Sequence, residues 1–376
     1  MKTSIQAFIY HIDPCLFISI LMLIILIPVG FTVDKNHLEK SCNKGPDLFL
    51  PSDITKSVPE PFVDFVQKAE NTIELVVSQF NPHHNFQTWV DILKIASKRN
   101  VKVSVITDDK TIYDALNFTD ITFKNSSSIE ENVNMFVFFA QSDFKRTIYA
   151  SRLFNDWRNI SSPNFILSFS DCKSLAKDAS SLFHLLKYYC ANGFNNHFLN
   201  KFLPGFSFPN THKWPQGSCS FGISPPLLKP PGRKSVYALL KDFFNSSCEN
   251  LRILTPSLFP NVEEVHQEMP ELLLSEQIEQ AAFQGSNIKI LLTSNSTDNS
   301  ELNSLKYFPR IEVKTNTFSY SPTFYLHGSE CGFMPMPFQN TVSSSSITFS
   351  IRIKDKNVTD KLSDHFDKIW NEKESK

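Results

Sequence analysis

The chain has 376 residues, which is enough for one large domain or two ordinary ones with a substantial core. Thirty-five Phe and only ten Gly indicate a packed, aromatic-rich interior and exclude a disordered chain. Charge is balanced, with 37 Lys and Arg against 38 Asp and Glu, which argues against binding a polyanion by bulk electrostatics and leaves open only a local basic groove.

The first element in the chain is an apolar run. Residues Cys15 to Val33 contain no charged side chain, and about 20 apolar residues are needed to cross a bilayer as a helix. We predict a retained signal-anchor helix over 15–33. A cleaved signal peptide is the main alternative, although Gly30-Phe31-Thr32 is a poor cleavage signal, and a buried soluble helix is a third.

Glycosylation sequons and cysteines indicate on which side of the membrane the body lies. All sequons follow the apolar run, at Asn117, Asn125, Asn159, Asn245, Asn295 and Asn357. Six cysteines also follow it, an even number that fits pairing in an oxidising compartment, with several buried thiols as the alternative. We therefore expect a single-pass type II protein of the secretory pathway (endoplasmic reticulum, endolysosome or cell surface) with a lumenal or extracellular body.

The apolar pattern past residue 58 alternates between helix and strand periods. The first half predicts, in order, the helices 61–69, 89–98 and 172–189 and the strands 72–79, 101–107, 135–140, 147–150 and 165–169. The second half predicts the helices 236–244, 271–283 and 360–370, the strands 251–255, 288–293 and 347–351, and a hairpin over 322–326 and the residues from 331.

The order of elements recurs, which indicates a duplicated α/β body with mixed sheets flanked by helices. Two local matches support this duplication. Gln79-Phe80-Asn81-Pro82 corresponds to Ser257-Leu258-Phe259-Pro260, and Ile95-Ala96-Ser97 corresponds to Gln280-Ala281-Ala282. We expect a short cytosolic tail (1–14), the transmembrane helix (15–33), a stalk (34–58), a first lobe (59–190), a Pro-rich inter-lobe segment (191–233) and a second lobe (234–372).

Several segments resemble the phospholipase D superfamily. They are Tyr149–Arg158, Cys172–Asp178, Ser224-Pro225-Pro226 with Pro231-Gly232-Arg233, and Ala238-Leu239-Leu240. Their order is similar to that in the animal type II membrane branch, which includes lysosomal 5′ exonuclease-like and inactive members, over residues 45–372. The resemblance implies two phospholipase D-like lobes and a disulfide between Cys42 and Cys172.

The family's chemistry needs one His-x-Lys-x4-Asp motif from each lobe. His and Lys two apart on a strand point to the same face, where one His attacks phosphorus, the other protonates the leaving oxygen, and the lysines stabilise charge. None of the ten histidines here stands two residues before a lysine.

The degenerate motif positions follow from the resemblance. Alignment on Asp143 puts Phe136 and Phe138 at the His and Lys places of the first lobe, and a slip puts Asn134 and Phe136 there. In the second lobe the expected occupants are Ser321 and Thr323.

Other polar residues could in principle replace the lost groups. His83, His84 and His327 are most simply surface or partly buried histidines, and Asp156 with Arg158 is most simply a structural ion pair. Asp108-Asp109 is more typical of a solvated turn than of a cation site.

We therefore expect a catalytically inactive phospholipase D-like membrane glycoprotein, a pseudoenzyme, with no catalytic residues and no cofactor or metal. The expected partners are the membrane, through the N-terminal helix, and a protein or lipid ligand, with no strong nucleic-acid signal. The alternatives are a divergent phosphodiesterase acting on phospholipid or on single-stranded nucleic acid ends, and a viral or cell-surface structural protein.

Overall fold

The structure is a computed structural model. It describes residues 42–56, 58–77, 86–123, 134–136, 138–151, 163–192, 211–224, 234–244, 249–256, 274–293, 305, 307–316, 318, 322–334 and 346–372. These residues form two mixed β-sheets with helices between them and on both outer faces.

The helices are amphipathic and bury their apolar stripes against the sheets. Their bounds are α1 Glu60–Gln67, α2 Phe86–Lys98, α3 Lys110–Ala115, α4 Lys173–Asn192, α5 Val236–Phe244, α6 Leu274–Phe283 and α7 Lys356–Asn371, with a short 3-10 helix at Pro51–Asp53. Asp109 begins α3 and Asp355 begins α7, and each side chain accepts hydrogen bonds from two backbone N–H groups of the first turn.

The strands of the first half are β1 Asp47–Phe49, β2 Thr72–Val77, β3 Lys102–Thr107, β4 Asp120–Phe123, β5 Asn134–Phe136, β6 Phe138–Ser142, β7 Arg146–Ala150 and β8 Ile166–Phe169. Those of the second half are β9 His212–Trp214, β10 Gly217–Ser224, β11 Lys234–Ser235, β12 Asn250–Thr255, β13 Asn287–Leu292, β14 Ile311–Thr315, β15 Thr323–His327, β16 Glu330–Met334 and β17 Ser346–Lys354.

The two sheets repeat one topology, which supports the predicted duplication. The first has the order β1-β8-β7-β6-β2-β3-β4, and the second contains β10-β17-β16-β15-β12-β13-β14. In each, a three-stranded parallel part (β2-β3-β4 or β12-β13-β14) continues into an antiparallel hairpin. The strands β6 and β15 therefore occupy equivalent places in the two lobes.

The core has three parts, because every central strand is covered on both faces. The outer face of the first sheet packs on α1, α2 and α3, and that of the second sheet packs on α5 and α6. The facing sides of both sheets share one core with α4 and α7. Aromatic pairs cross between the lobes here, with ring centroids 5.4 Å apart for Phe139 and Phe349 and 4.5 Å apart for Phe165 and Phe333.

Two predicted boundaries differ from the structure. Part of the predicted stalk folds into the first lobe, because β1 pairs with β8 and buries Leu48. Part of the predicted inter-lobe segment belongs to the second sheet, because Cys219, Phe221 and Ile223 alternate inward along β10 and need a buried face.

The predicted membrane segment cannot be compared with the structure, because residues 15–33 lie outside the described part of the chain. Among the described residues, no helix is both long enough and apolar enough to span a bilayer.

The structure contains both a disulfide and buried thiols, which are the two alternatives that the sequence left open. Cys42 and Cys172 form a disulfide, the pair that the resemblance implies, and it ties the segment before β1 to the start of α4. Cys219 and Cys331 are buried free thiols, and Cys190 is also buried. Burial raises the pKa of Cys331 to about 12, so this thiol stays protonated. Cys248 lies outside the described residues.

Candidate functional site

The positions expected for the two motif lysines, Phe138 and Thr323, lie at the beginnings of β6 and β15. Phe138 is the first residue of β6 and pairs with Val77, the last residue of β2. Thr323 is the first residue of β15, beside the end of β12. The two positions are equivalent in the repeated sheets, which is consistent with the alignment on Asp143. The fold thus places them where parallel strands end, the usual location of ligand sites in open α/β sheets.

In the first lobe the position expected for Lys holds a buried aromatic ring. Phe138 is 3% exposed and belongs to the core with α1 and α2. A cation at this position would need a paired, hydrogen-bonded environment that this apolar core does not offer. Phe138 therefore contributes packing and no charge.

The backbone before Phe138 crosses to the other lobe. The strand β5 contains two further motif positions, Asn134 and Phe136, and pairs in parallel with β17 of the second sheet. The register joins Asn134 to Ser346 and Phe136 to Thr348. A backbone ladder between the lobes thus occupies the segment where the first His is expected.

In the second lobe the position expected for Lys holds a neutral hydroxyl. Thr323 is fully buried, and its Oγ1 lies 2.9 Å from Oγ1 of Thr255. Both groups are satisfied inside the protein and carry no charge. Ser321, at the position expected for His, lies outside the described residues.

Asp143, at the position expected for the motif's acid, makes hydrogen bonds that stabilise the backbone around it. Its carboxylate accepts hydrogen bonds of 2.8 Å from the backbone N–H groups of Glu70, Asn71 and Thr72, in the turn before β2. Burial acts to raise the pKa of Asp143, but these bonds and the nearby Arg146 outweigh it and lower the pKa. Asp143 has φ 51° in the turn after β6, and Gly328 has φ 52° in the equivalent turn after β15.

Side chains pack closely between the described parts of the two sheets. A cavity of about 10 Å³ lies between the sheets, lined mainly by aromatic rings that include Phe139, Tyr149 and Phe349. The Tyr149 hydroxyl donates a hydrogen bond to the carbonyl of Phe349, which links the first sheet to the second. The cavity also borders Thr147 and Asp178, and Thr147 Oγ1 has no partner among the described residues. It is large enough for one water molecule and far too small for a phosphodiester.

No motif in the sequence predicts the Ser-His-Asp arrangement that lies near this cavity. His212 Nε2 lies 3.0 Å from Asp178 Oδ2, and His212 Nδ1 lies 3.1 Å from Ser174 Oγ. The Asp178 and His212 side chains are each only 1% exposed. Ser174 Oγ is 3.9 Å from both sulfurs of the Cys42–Cys172 disulfide. The pair of His212 and Asp178 is shielded from solvent and supports the core, whereas Ser174 is partly exposed.

Of the polar residues considered as replacements, His327 and Asp109 can be placed, and they lie on different lobes. His327 is 8% exposed and packs on Phe243 with ring centroids 4.4 Å apart, at the far end of β15 from Thr323. Burial lowers the pKa of His327. Asp109 is used as the cap of α3. The other candidates lie outside the described residues, namely His83, His84, Asp156 and Arg158.

A metal site is not formed in the described part of the chain, which holds no group of three or more His, Cys, Asp or Glu side chains able to bind an ion. Two sequons can be placed. Asn117, after α3, and Asn357, at the start of α7, are both exposed. The remaining sequons lie outside the described residues, at Asn125, Asn159, Asn245 and Asn295.

Comparison with known proteins identifies the fold. Phosphatidylserine synthase from Haemophilus influenzae is similar with a TM-score of 0.59 and 10% identity, over 90% of this chain and 89% of that chain. Polyphosphate kinase from Porphyromonas gingivalis is similar with a TM-score of 0.51 and 10% identity, over 81% of this chain and 46% of that chain. These structure neighbours are phospholipase D superfamily members, so the fold is phospholipase D-like. No protein-family model and no curated protein sequence matches the chain.

Proposed function

We propose that this protein is a phospholipase D-like pseudoenzyme, a folded membrane glycoprotein that binds or scaffolds instead of hydrolysing phosphodiesters. The observation that carries the proposal is the occupancy of the two Lys positions. Phe138 and Thr323 are neutral and buried, in equivalent places of the two lobes.

The chemistry explains why this occupancy matters. Attack on a phosphodiester by this route needs a nucleophilic His, an acid to protonate the leaving oxygen, and cations to stabilise the equatorial oxygens. Removing an acting nucleophile alone costs on the order of 10⁶ in rate. A phosphate placed beside Phe138 would lose its hydration without gaining a cation.

The membrane and glycoprotein parts of the proposal rest on the sequence. Cys15–Val33 has the length and composition of a signal-anchor, and the sequons follow it. The exposure of Asn117 and Asn357 is compatible with glycans at these positions. We propose a type II orientation, with the phospholipase D-like body in the lumen or outside the cell.

The experiment is a turnover assay on the purified, glycosylated chain in detergent. The substrates are a chromogenic phosphodiester, phosphatidylcholine and 5′-hydroxyl single-stranded DNA, with an active superfamily member as positive control. We expect no hydrolysis of any substrate above buffer from protein that unfolds cooperatively.

A matched set of variants separates weak activity from contamination. The variants His83→Ala, His84→Ala and His327→Ala remove the histidines that could serve as substitutes. Turnover that survives repurification and disappears in one of these variants would overturn the proposal and establish a divergent phosphodiesterase.

A further inference from the structure

A polar groove lies on the outer face of the second sheet, away from the degenerate motif positions. It has a volume of about 470 Å³ and is bordered by the strands β10 and β17 and by α5. Its lining contains three hydroxyl side chains, three cations, one carboxylate and one leucine: Thr211, Ser218, Ser220, Lys234, Arg352, Lys354, Asp242 and Leu239. Ligand sites for small molecules have volumes of about 300–1,000 Å³, so this groove, which we call the basic groove, is of suitable size.

The strand register builds the floor of the basic groove. Ser218 lies opposite Lys354 and Ser220 lies opposite Arg352 in the antiparallel pair of β10 and β17. Alternate residues of a strand share one face, so two hydroxyls and two cations form a compact patch. Thr211 extends this patch, with its Oγ1 3.1 Å from Oγ of Ser220.

Two cations of the basic groove, Arg352 and Lys354, share a single carboxylate, which cannot neutralise both. Glu330 accepts hydrogen bonds from Nε of Arg352 at 3.0 Å and from its Nη2, and it also pairs with Lys354. Burial acts to raise the pKa of Glu330, but its bonds to Lys354 and Arg352 outweigh it and lower the pKa, so Glu330 stays ionised. One carboxylate thus orients two cations, and no described residue accepts a hydrogen bond from Nη1 of Arg352.

The third cation of the basic groove lies in an ion pair that a bound anion can replace. Lys234 pairs with Asp242, but the two side chains are 41% and 42% exposed. Exposed pairs of this kind contribute little to stability because water screens them, so an anion in the basic groove can compete for Lys234. With Asp242 and Glu330 both counted, the three cations still leave one positive charge uncompensated. This local excess contrasts with a chain whose formal net charge is −1.

We propose that the basic groove binds a phosphate monoester, carried either by a soluble molecule or by a lipid headgroup. A dianionic phosphate matches the pair of Lys354 and Arg352 on the floor and Lys234 on the wall, and the serine hydroxyls donate hydrogen bonds to its oxygens. Glu330 acts as a positioning residue, because it holds Arg352 with one edge of the guanidinium facing its carboxylate.

The basic groove is independent of the lost catalytic positions. Glu330 pairs with His327, which lies four residues after Thr323 on β15. At about 3.4 Å per residue, the two ends of this strand are roughly 13 Å apart. Binding in the groove therefore neither requires nor implies hydrolysis, and a failure of one proposal is distinguishable from a failure of the other.

The test is calorimetric titration of the full chain in detergent micelles with inorganic phosphate and with glycerol 3-phosphate. We expect saturable binding that weakens with added salt. Lys354→Gln removes a charged hydrogen-bond donor and should weaken phosphate binding at least about tenfold, since such bonds are worth about 1.5–3 kcal/mol. Ser220→Ala keeps every charge and should weaken it by a smaller factor.

Lys68→Gln is the matched control, because it removes the same charge from an exposed ion pair with Asp64 on the first lobe. No saturable binding by the natural chain, or equal weakening by Lys68→Gln and Lys354→Gln, would overturn the proposal. Flotation with phosphatidylcholine vesicles, with and without phosphatidic acid, then distinguishes the sources. Binding that depends on phosphatidic acid supports a lipid headgroup, and binding of glycerol 3-phosphate alone supports a soluble ligand.

Discussion

The hydrogen bonds of Asp143 predict that its substitution lowers the stability of the fold. Its carboxylate accepts three backbone hydrogen bonds of 2.8 Å from the turn before β2. Asp143→Ala removes both acceptor oxygens, and with them all three hydrogen bonds, and it places a Cβ-bearing residue without a side-chain hydrogen bond at φ 51°. The substitution therefore combines a lost hydrogen-bond cluster with backbone strain.

The magnitude follows from the exposure of the donors. Hydrogen bonds to a charged group contribute about 1.5–3 kcal/mol each when shielded, but Glu70 and Asn71 are exposed and water can replace their acceptor. We therefore expect Asp143→Ala to lower the free energy of unfolding by about 2–4 kcal/mol. Asp143→Gly, which is what the second lobe has at Gly328, relieves the strain and should cost about 1 kcal/mol less.

The assay is urea unfolding followed by circular dichroism and tryptophan fluorescence. Asp143→Asn tolerates the left-handed backbone and keeps one acceptor oxygen, so its loss should lie below that of Asp143→Gly. The pKa of Asp143 is lowered in the fold, so its contribution should be complete above about pH 3.9, the unfolded value, and be lost as pH falls through the folded pKa. Equal stability of Asp143→Ala and the natural chain would refute this reasoning.

Three further predictions concern the core, the disulfide and pH. Phe138→Ala should cost about 3–5 kcal/mol in urea unfolding, because it empties a buried site in the first lobe; a loss below 1 kcal/mol would contradict the burial of this ring. Cys172→Ser should lower stability by about 2–5 kcal/mol and abolish the mobility shift on reduction, whereas Cys219→Ser should leave that shift unchanged. Burial lowers the pKa of His327, so the free energy of unfolding should fall as pH drops from about 6.5 towards the folded pKa. The variant His327→Phe should lose this part of the pH dependence. An unchanged dependence of the free energy of unfolding on pH in the variant would contradict the reasoning.

The long amphipathic elements were predictable from sequence. Helices α2, α4, α5 and α7 follow clear apolar periods, and the central strands β3, β12 and β13 are short runs of buried aliphatic residues. Most of the missed elements are short or half-exposed, and the eight-residue strand β10 is the exception. Helix α3 has six residues, and the edge strands β4 and β14 bury little, so neither leaves a strong pattern.

Part of the candidate site could also be predicted from the sequence, and part could not. The absence of a His-x-Lys spacing can be read from the sequence alone, since such a motif is defined by spacing along one strand. The pairing of β5 with β17 could not, because Asn134 and Ser346 meet only through the arrangement of the two lobes. His212 and Asp178 likewise meet through a three-residue strand in a segment that the sequence assigns to a linker.

The central claim is that no residue of this chain forms a covalent bond to phosphorus. The most direct measurement is intact-protein mass spectrometry of the full chain after incubation with a phosphodiester and rapid quenching, with an active superfamily member alongside. The account predicts a phosphoryl adduct on the active enzyme and an unchanged mass for this protein. A phosphoryl adduct that maps to a histidine of this chain would contradict the account.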